Sequence, residues 1–341
     1  MVGAAHPTIY IISTEVISIM SSSCGTCESK KSSCPSSSSQ SQAQAHIAQQ
    51  EVAIKTSLAK IKHKILVMSG KGGVGKSTVS TNLALGLAKR GFKVGLMDVD
   101  LHGPDICRML NLEHRLQDAE PRSGGLLPPI QATENLKVTS LEYMMEDRDD
   151  PIIWRGPLKI QAIRQFIADM DWGELDYLVI DAPPGTGDEP LTIANTIPDA
   201  QALVVTTPQD IALADVRKSI NFCRHVKMRI VGLVENMSGL ICPHCNQVVD
   251  VFKSGGGEKT AKDFKINFLG RVPMDPRVVL GGDAGTPYLT SDQESPAITA
   301  FGALVDNVIK EQGEKVKPIP LAKAKGCGCG DGGCDPIKCD C

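Results

Sequence analysis

An α/β fold, with a mostly parallel central sheet and helices on both of its faces, is predicted by three features of the sequence. From Ile65 onward short apolar runs alternate with helical patterns. The runs are nearly continuous rather than apolar at every second position, as strands buried on both faces are. A glycine-rich loop then joins the first run directly to the first helical pattern. With 341 residues, 42% of them apolar, the chain can fill one large α/β core or two modest ones. A net charge of −3, with no long basic patch, argues against nucleic acid and anionic membranes as partners.

In chain order, Ile9 to Met20 is apolar but contains Glu15. It lacks a basic leader and a cleavage site, and it is too short to span a bilayer, so a signal or anchor is the weaker reading. Met20 is expected to be the natural start. Residues 1–45 are expected to be a disordered arm, rich in Ser and Gln between 21 and 45 and carrying Cys24, Cys27 and Cys34. A polar, helix-prone segment from Ala45 to Lys62 leads into a domain over 46–312. Its clearest strands are Ile65–Met68, Val94–Met97, Tyr177–Ile180, Leu203–Thr206 and Ile230–Val234. A last helix is expected over Pro296–Gln312, and residues 313–341, broken by Pro318 and Pro320, form a flexible Cys-rich tail.

The segment Gly70-Lys71-Gly72-Gly73-Val74-Gly75-Lys76-Ser77-Thr78 fits G-x-x-x-x-G-K-[ST] and lies between a strand and a helix. That context makes it a P-loop, and the chain an expected Mg²⁺-dependent ATP hydrolase. Glycines let backbone N–H groups turn toward phosphates, and the helix N-terminus adds its positive end. Lys76 is placed to reach the β- and γ-phosphates, and the Ser77 hydroxyl to ligate Mg²⁺. Asp98 and Asp100 end the second strand, where carboxylates can hold metal-bound or attacking water. Asp181 ends the Tyr177 strand and is the candidate to hold Mg²⁺ through a water. The loop Ala182 to Asp188 after it is stiff and then flexible, suited to sensing a γ-phosphate.

Twelve cysteines are many, and their short spacings suit soft-metal ligation better than a disulfide framework. Thiolates that bind metal must stay reduced, so a reducing, cytoplasmic setting is expected. Cys242 and Cys245 form a C-x-x-C just after a strand. Two thiolates cannot complete a four-ligand site, but a symmetric dimer supplies four across its axis. An iron–sulfur cluster, a zinc ion or a metal-free redox dithiol would each fit this pair. His244 is expected to be exposed rather than a ligand. Cys24, Cys27 and Cys34 give C-x₂-C-x₆-C, one ligand short of a cuboidal cluster. Cys327, Cys329, Cys334, Cys339 and Cys341 fit soft metals without fixing one, whereas Cys107 and Cys223 have the apolar surroundings of core residues.

Lys71, a second lysine inside the loop, resembles the deviant Walker A motif of MinD-like ATPases. Further strings narrow the likeness: His102-Gly103-Pro104, Ile153-Trp154-Arg155-Gly156-Pro157, Trp172 to Tyr177, Asp181 to Asp188, Thr207-Pro208-Gln209, and Glu235-Asn236-Met237-Ser238 before Cys242-Pro243-His244-Cys245. Together, from about Lys62 to Gln312, they resemble the Mrp/ApbC branch of iron–sulfur cluster carriers. The resemblance implies a homodimeric ATPase that binds a 4Fe–4S cluster and delivers it to apoproteins, working with a cluster-assembly scaffold. It also implies that Lys71 reaches the other subunit's nucleotide, that Asn236 reads the adenine edge, and that Pro273 to Pro276, with Asp275, wall the ring. Eukaryotic relatives carry four arm cysteines where this chain has three. A positioning ATPase of the MinD/ParA type would need a basic amphipathic C-terminal helix or a DNA-binding patch, and prolines and cysteines stand there instead. A structural zinc clasp at the dimer interface is the other alternative.

Overall fold

The computed structural model describes residues 37–100, 103–112, 126–140, 156–242, 245, 247–287, 289 and 295–316, with backbone alone for 37–47. Cys24, Cys27, Cys34, the 327–341 cysteines, His102, Pro243 and His244 lie outside the described residues, as does Ile153 to Arg155. So does most of the arm and of the tail.

The central sheet has eight strands: β1 (Ile61–Ser69), β2 (Val94–Asp98), β3 (Ile130–Thr133), β4 (Leu136–Ser140), β5 (Leu175–Asp181), β6 (Gln201–Thr206), β7 (Ile230–Glu235) and β10 (Phe268–Arg271). Their order is β10-β7-β6-β1-β5-β2-β4-β3. All neighbours are parallel except β3, which runs antiparallel to β4 at one edge. The mostly parallel sheet is as expected, and β1 and β5 lie at its centre.

Side chains on each central strand alternate between two cores. Ile65 and Val67 pack on one face with Val179 and Leu203, while Leu66 and Met68 pack on the other with Ile180 and Val204. All are fully buried, which is why the runs carry no polar alternation. Burial of each such side chain contributes about 1.5–3 kcal/mol. Helices α2 (Lys76–Lys89) and α9 (Pro296–Glu311) cover the first face through Leu83, Leu87, Phe301 and Val308. Helices α4 (Gly156–Asp169) and α6 (Asp210–His225) cover the second through Ile163, Phe166, Val216 and Ile220.

The segment ahead of β1 is helical over Ser37–Leu58 (α1), crossing residue 45, but its end differs from the expected Lys62. Ile54 and Leu58 enter the second core, and Ser57 donates to the Met170 carbonyl. Ile61 and Lys62 then belong to β1, where Ile61 pairs with Leu175 and Lys62 sits 2.6 Å from Asp176. Strands β3, β4 and β10 went unread in the sequence. Between β7 and β10 lies a two-stranded antiparallel ribbon, β8 (Leu240–Ile241) with β9 (Val248–Val249), followed by α7 (Gly256–Asp263). No helix of the described residues is long and apolar enough to cross a membrane.

Candidate phosphate and thiolate sites

The loop between β1 and α2 passes under the first turns of α6. A Cβ on Gly70 would lie 2.6 Å from the Val216 nitrogen and 2.7 Å from the Asp215 carbonyl oxygen, so only glycine permits this approach. Gly75 precedes α2 in a left-handed conformation (φ 79°), and no side chain caps the helix. Its first N–H groups therefore stay available to an anion. Lys71, Gly72, Gly73, Gly75, Lys76, Ser77 and Thr78 line a cavity of about 280 Å³, joined by Ser69, Asp100, Asp105 and Pro184. A second cavity of about 370 Å³ lies at the opposite end of β2 and β5, lined by Lys93, Glu134, Lys137 and Glu174. Its charges are mixed and it has no glycine loop.

Strand ends bring the acids to the first cavity. Asp181, buried at the end of β5, accepts from Lys76 Nζ and Ser77 Oγ, both at 2.7 Å from Oδ2, and from Ser80 Oγ at 2.6 Å from Oδ1. Lys76 is also 3.8 Å from Asp100 Oδ2. Asp98 stands beside Asp181 in register but turns inward, accepting the N–H groups of Asp100 and Ile106. Burial, and then the charge of Asp181, push its carboxyl well above the usual carboxylate range. The structure thus places Asp100 at the cavity and Asp98 behind it. Gly185 N–H donates to the Ser69 carbonyl at 2.9 Å, tying the 182–188 loop to the end of β1.

Asn236 is buried just past β7 and donates from Nδ2 to the Val74 carbonyl at 2.9 Å. A Cβ on Gly75 would overlap that amide, so the absent side chain makes room for it. Half-buried Pro273 follows β10, and Asp275 caps α8 (Pro276–Asp283) by accepting the Arg277 N–H. None of these three lines the phosphate cavity, and all lie toward the β7–β10 edge.

The C-x-x-C falls on the β8–β9 ribbon. Cys242 is half-buried, its N–H bonded to the Gln247 carbonyl at 3.0 Å, and Cys245 is exposed. Among the described residues no group of three or more His, Cys, Asp or Glu side chains is placed to hold a metal ion. Cys107 and Cys223 are buried, as their apolar surroundings indicated. Burial pushes the Cys223 thiol up to about 12, so it stays protonated and unreactive at neutral pH.

Two polar residues that hold this region together were missed in the sequence. Ser80 lies one turn beyond Lys76, so both face the Asp181 carboxylate; the i, i+4 spacing was a usable signal. Glu235, fully buried at the end of β7, accepts from Ser238 Oγ and from the N–H groups of Gly255 and Gly257. Its partners follow from the return path of the chain, and no local pattern announces them.

A parallel sheet whose first strand delivers a lysine-bearing glycine loop to a bare helix N-terminus defines a P-loop NTPase. The family model of the NUBPL iron-transfer P-loop NTPases, within the ParA group, matches residues 60–309, and the chain belongs to that family. It is 46% identical to an iron-sulfur cluster carrier protein of Methanocaldococcus jannaschii, over 85% of this chain and 99% of the relative. It is 47% identical to the cytosolic Fe-S cluster assembly factor CFD1 of Kluyveromyces lactis, over 74% and 92%. Among solved structures, a nucleotide-binding protein from Archaeoglobus fulgidus in complex with ADP superposes with a TM-score of 0.63 at 36% identity, covering 74% and 96%.

Proposed function

We propose that this chain is a cytoplasmic, homodimeric ATP-binding and ATP-hydrolysing carrier that holds a 4Fe–4S cluster as cargo and transfers it to apoproteins. The observation that carries the reading is one of connection. The ribbon that carries half-buried Cys242 and exposed Cys245 grows from the strand whose next residue, Asn236, bonds the phosphate loop at Val74. A cargo site and an energy site are thereby one short segment apart. The names of the relatives support iron–sulfur transfer. In this reading residues 46–312 form the working unit, with the arm and tail as appendages.

Lys76 neutralises the β- and γ-phosphates, exchanging part of its contact with Asp181 for phosphate oxygens. The donor set fits Mg²⁺: the Ser77 hydroxyl and the Asp181 carboxylate are hard oxygens 2.7 Å apart, the hydroxyl suited to ligate the ion and the carboxylate to hold it through a water. Bound there, Mg²⁺ supplies charge stabilisation at the transferring phosphoryl group. Asp100, at the cavity and steadied through its N–H by Asp98, orients the attacking water. Lys71 reaches the nucleotide of the opposite subunit, and Asn236, Pro273 and Asp275 form the adenine side of the site. Cys242 and Cys245 of each subunit supply four thiolates to one shared cluster.

The test is transfer. Protein loaded with a 4Fe–4S cluster under anaerobic conditions is mixed with an apo-enzyme that needs such a cluster for activity. Activity should return as the visible absorption of the carrier falls. Stoichiometric zinc at the cysteines, with no transfer, would replace this reading by the zinc clasp.

A further inference from the structure

We propose that Glu235 is a positioning residue that couples occupancy of the phosphate loop to the C-x-x-C ribbon. The inference rests on the carrier reading, because it assigns regulation to the same thiolate pair.

Glu235 is fully buried, and a buried carboxylate is tolerated only when its oxygens are well occupied. Oε1 accepts from Ser238 Oγ at 2.5 Å and from the Gly255 N–H at 2.8 Å, and Oε2 accepts from the Gly257 N–H. Arg271 Nε stands 3.6 Å from Oε1 as its nearby cation. Ser238 is the outgoing root of the segment that carries Cys242 and Cys245, and Gly255 and Gly257 are its returning root. One carboxylate therefore holds both ends of the thiolate segment closed. Gly257 also lacks room for a side chain: a Cβ there would lie 2.9 Å from Glu235 Oε2.

The other half of the connection is the adjoining residue. Asn236 donates to the Val74 carbonyl, and that carbonyl belongs to the same planar peptide as the Gly75 N–H. A phosphate that draws the Gly75 N–H toward itself fixes the orientation of this peptide and hence of its carbonyl. Asn236 follows, and its backbone N–H, bonded to the Thr206 carbonyl at 2.8 Å, keeps the motion local to the end of β7. Glu235 contacts no residue of the loop in these hydrogen bonds. It transmits through Asn236 and acts on the ribbon through Ser238, Gly255 and Gly257.

The test reads the rate at which iodoacetamide alkylates Cys242 in iron-free full-length protein, with and without saturating Mg·ADP. Nucleotide binding is measured separately, and sedimentation holds the oligomeric state constant. Wild type should change rate roughly fivefold or more on nucleotide binding, the low end of ordinary coupling between sites. Glu235→Gln keeps the shape but aims an amide N–H₂ at groups that themselves donate, so one root comes loose. Its rate ratio should fall to near one while nucleotide still saturates. A wild-type ratio of one, or an undiminished ratio in Glu235→Gln, overturns the proposal. If Glu235→Gln does not fold, Ser238→Ala decides, since it removes only the outgoing hold. Its ratio should shrink, and an unchanged ratio is equally fatal. Because no cluster is present in this assay, a failed carrier reading would appear separately, as no transfer from loaded protein, with the ratio intact.

Discussion

Lys76→Ala is expected to lower ATP turnover by at least ~10²–10³-fold, the scale seen when one preorganised charge or donor leaves a transition-state site. Its ammonium is buried and lies 2.7 Å from Asp181 and 3.8 Å from Asp100, with Asp98 directly behind. The substitution therefore removes the buried positive charge that faces Asp181 and Asp100, leaving those two carboxylates against the incoming phosphates. At 4 Å and an effective dielectric near 20, each unit-charge pair is worth about 4 kcal/mol, so bringing in a polyphosphate becomes strongly unfavourable. Asp181 keeps its Ser77 and Ser80 donors, so the fold should survive the change. Phosphate release under saturating Mg·ATP checks this. Wild-type turnover in the variant would remove the 70–78 loop from the catalytic assignment.

The central sheet was legible because its inner strands are buried on both faces. Ile65 to Met68 and Leu203 to Val205 have no polar position to conceal, and their lengths are those of strands rather than helices. The edges were not legible. Strand β3 alternates buried and exposed residues but is only four residues long, too short to stand out, and β10 breaks register between Phe268 and Gly270. The β8–β9 ribbon is harder still, since each strand has two residues and Val248 and Val249 both face solvent. Only the cysteines drew the eye to it.

At the phosphate site the residue types and their spacing carried the prediction, because a P-loop is a contiguous segment. Tertiary pairing was the part hidden in the sequence. Asp98 and Asp100 read as equivalent strand-end acids, yet only Asp100 lines the cavity. Two residues apart, they would share a face if the strand ran on; it ends at Asp98, and the N–H groups of Asp100 and Ile106 hold that carboxylate inward. Glu235 was noted only as part of a family string. Its three donors come from residues up to 22 positions further along, a closure that local reading cannot see.

The second large effect is expected at the cysteines. In full-length protein prepared anaerobically, the Cys242→Ser/Cys245→Ser double variant should lose the shared cluster while still binding nucleotide. The phosphate loop lies on β1 and α2, elements that the ribbon does not belong to, and serine is close to isosteric at a half-buried and an exposed position. Loss of the cluster should also weaken self-association, because a ligand that binds the dimer and not the monomer stabilises the dimer by mass action. The decisive measurement is iron per dimer in wild type and double variant prepared side by side, the difference cancelling any iron held by the arm or tail. The account predicts a difference of about four iron atoms, one 4Fe–4S unit. Equal iron in the two proteins would contradict it.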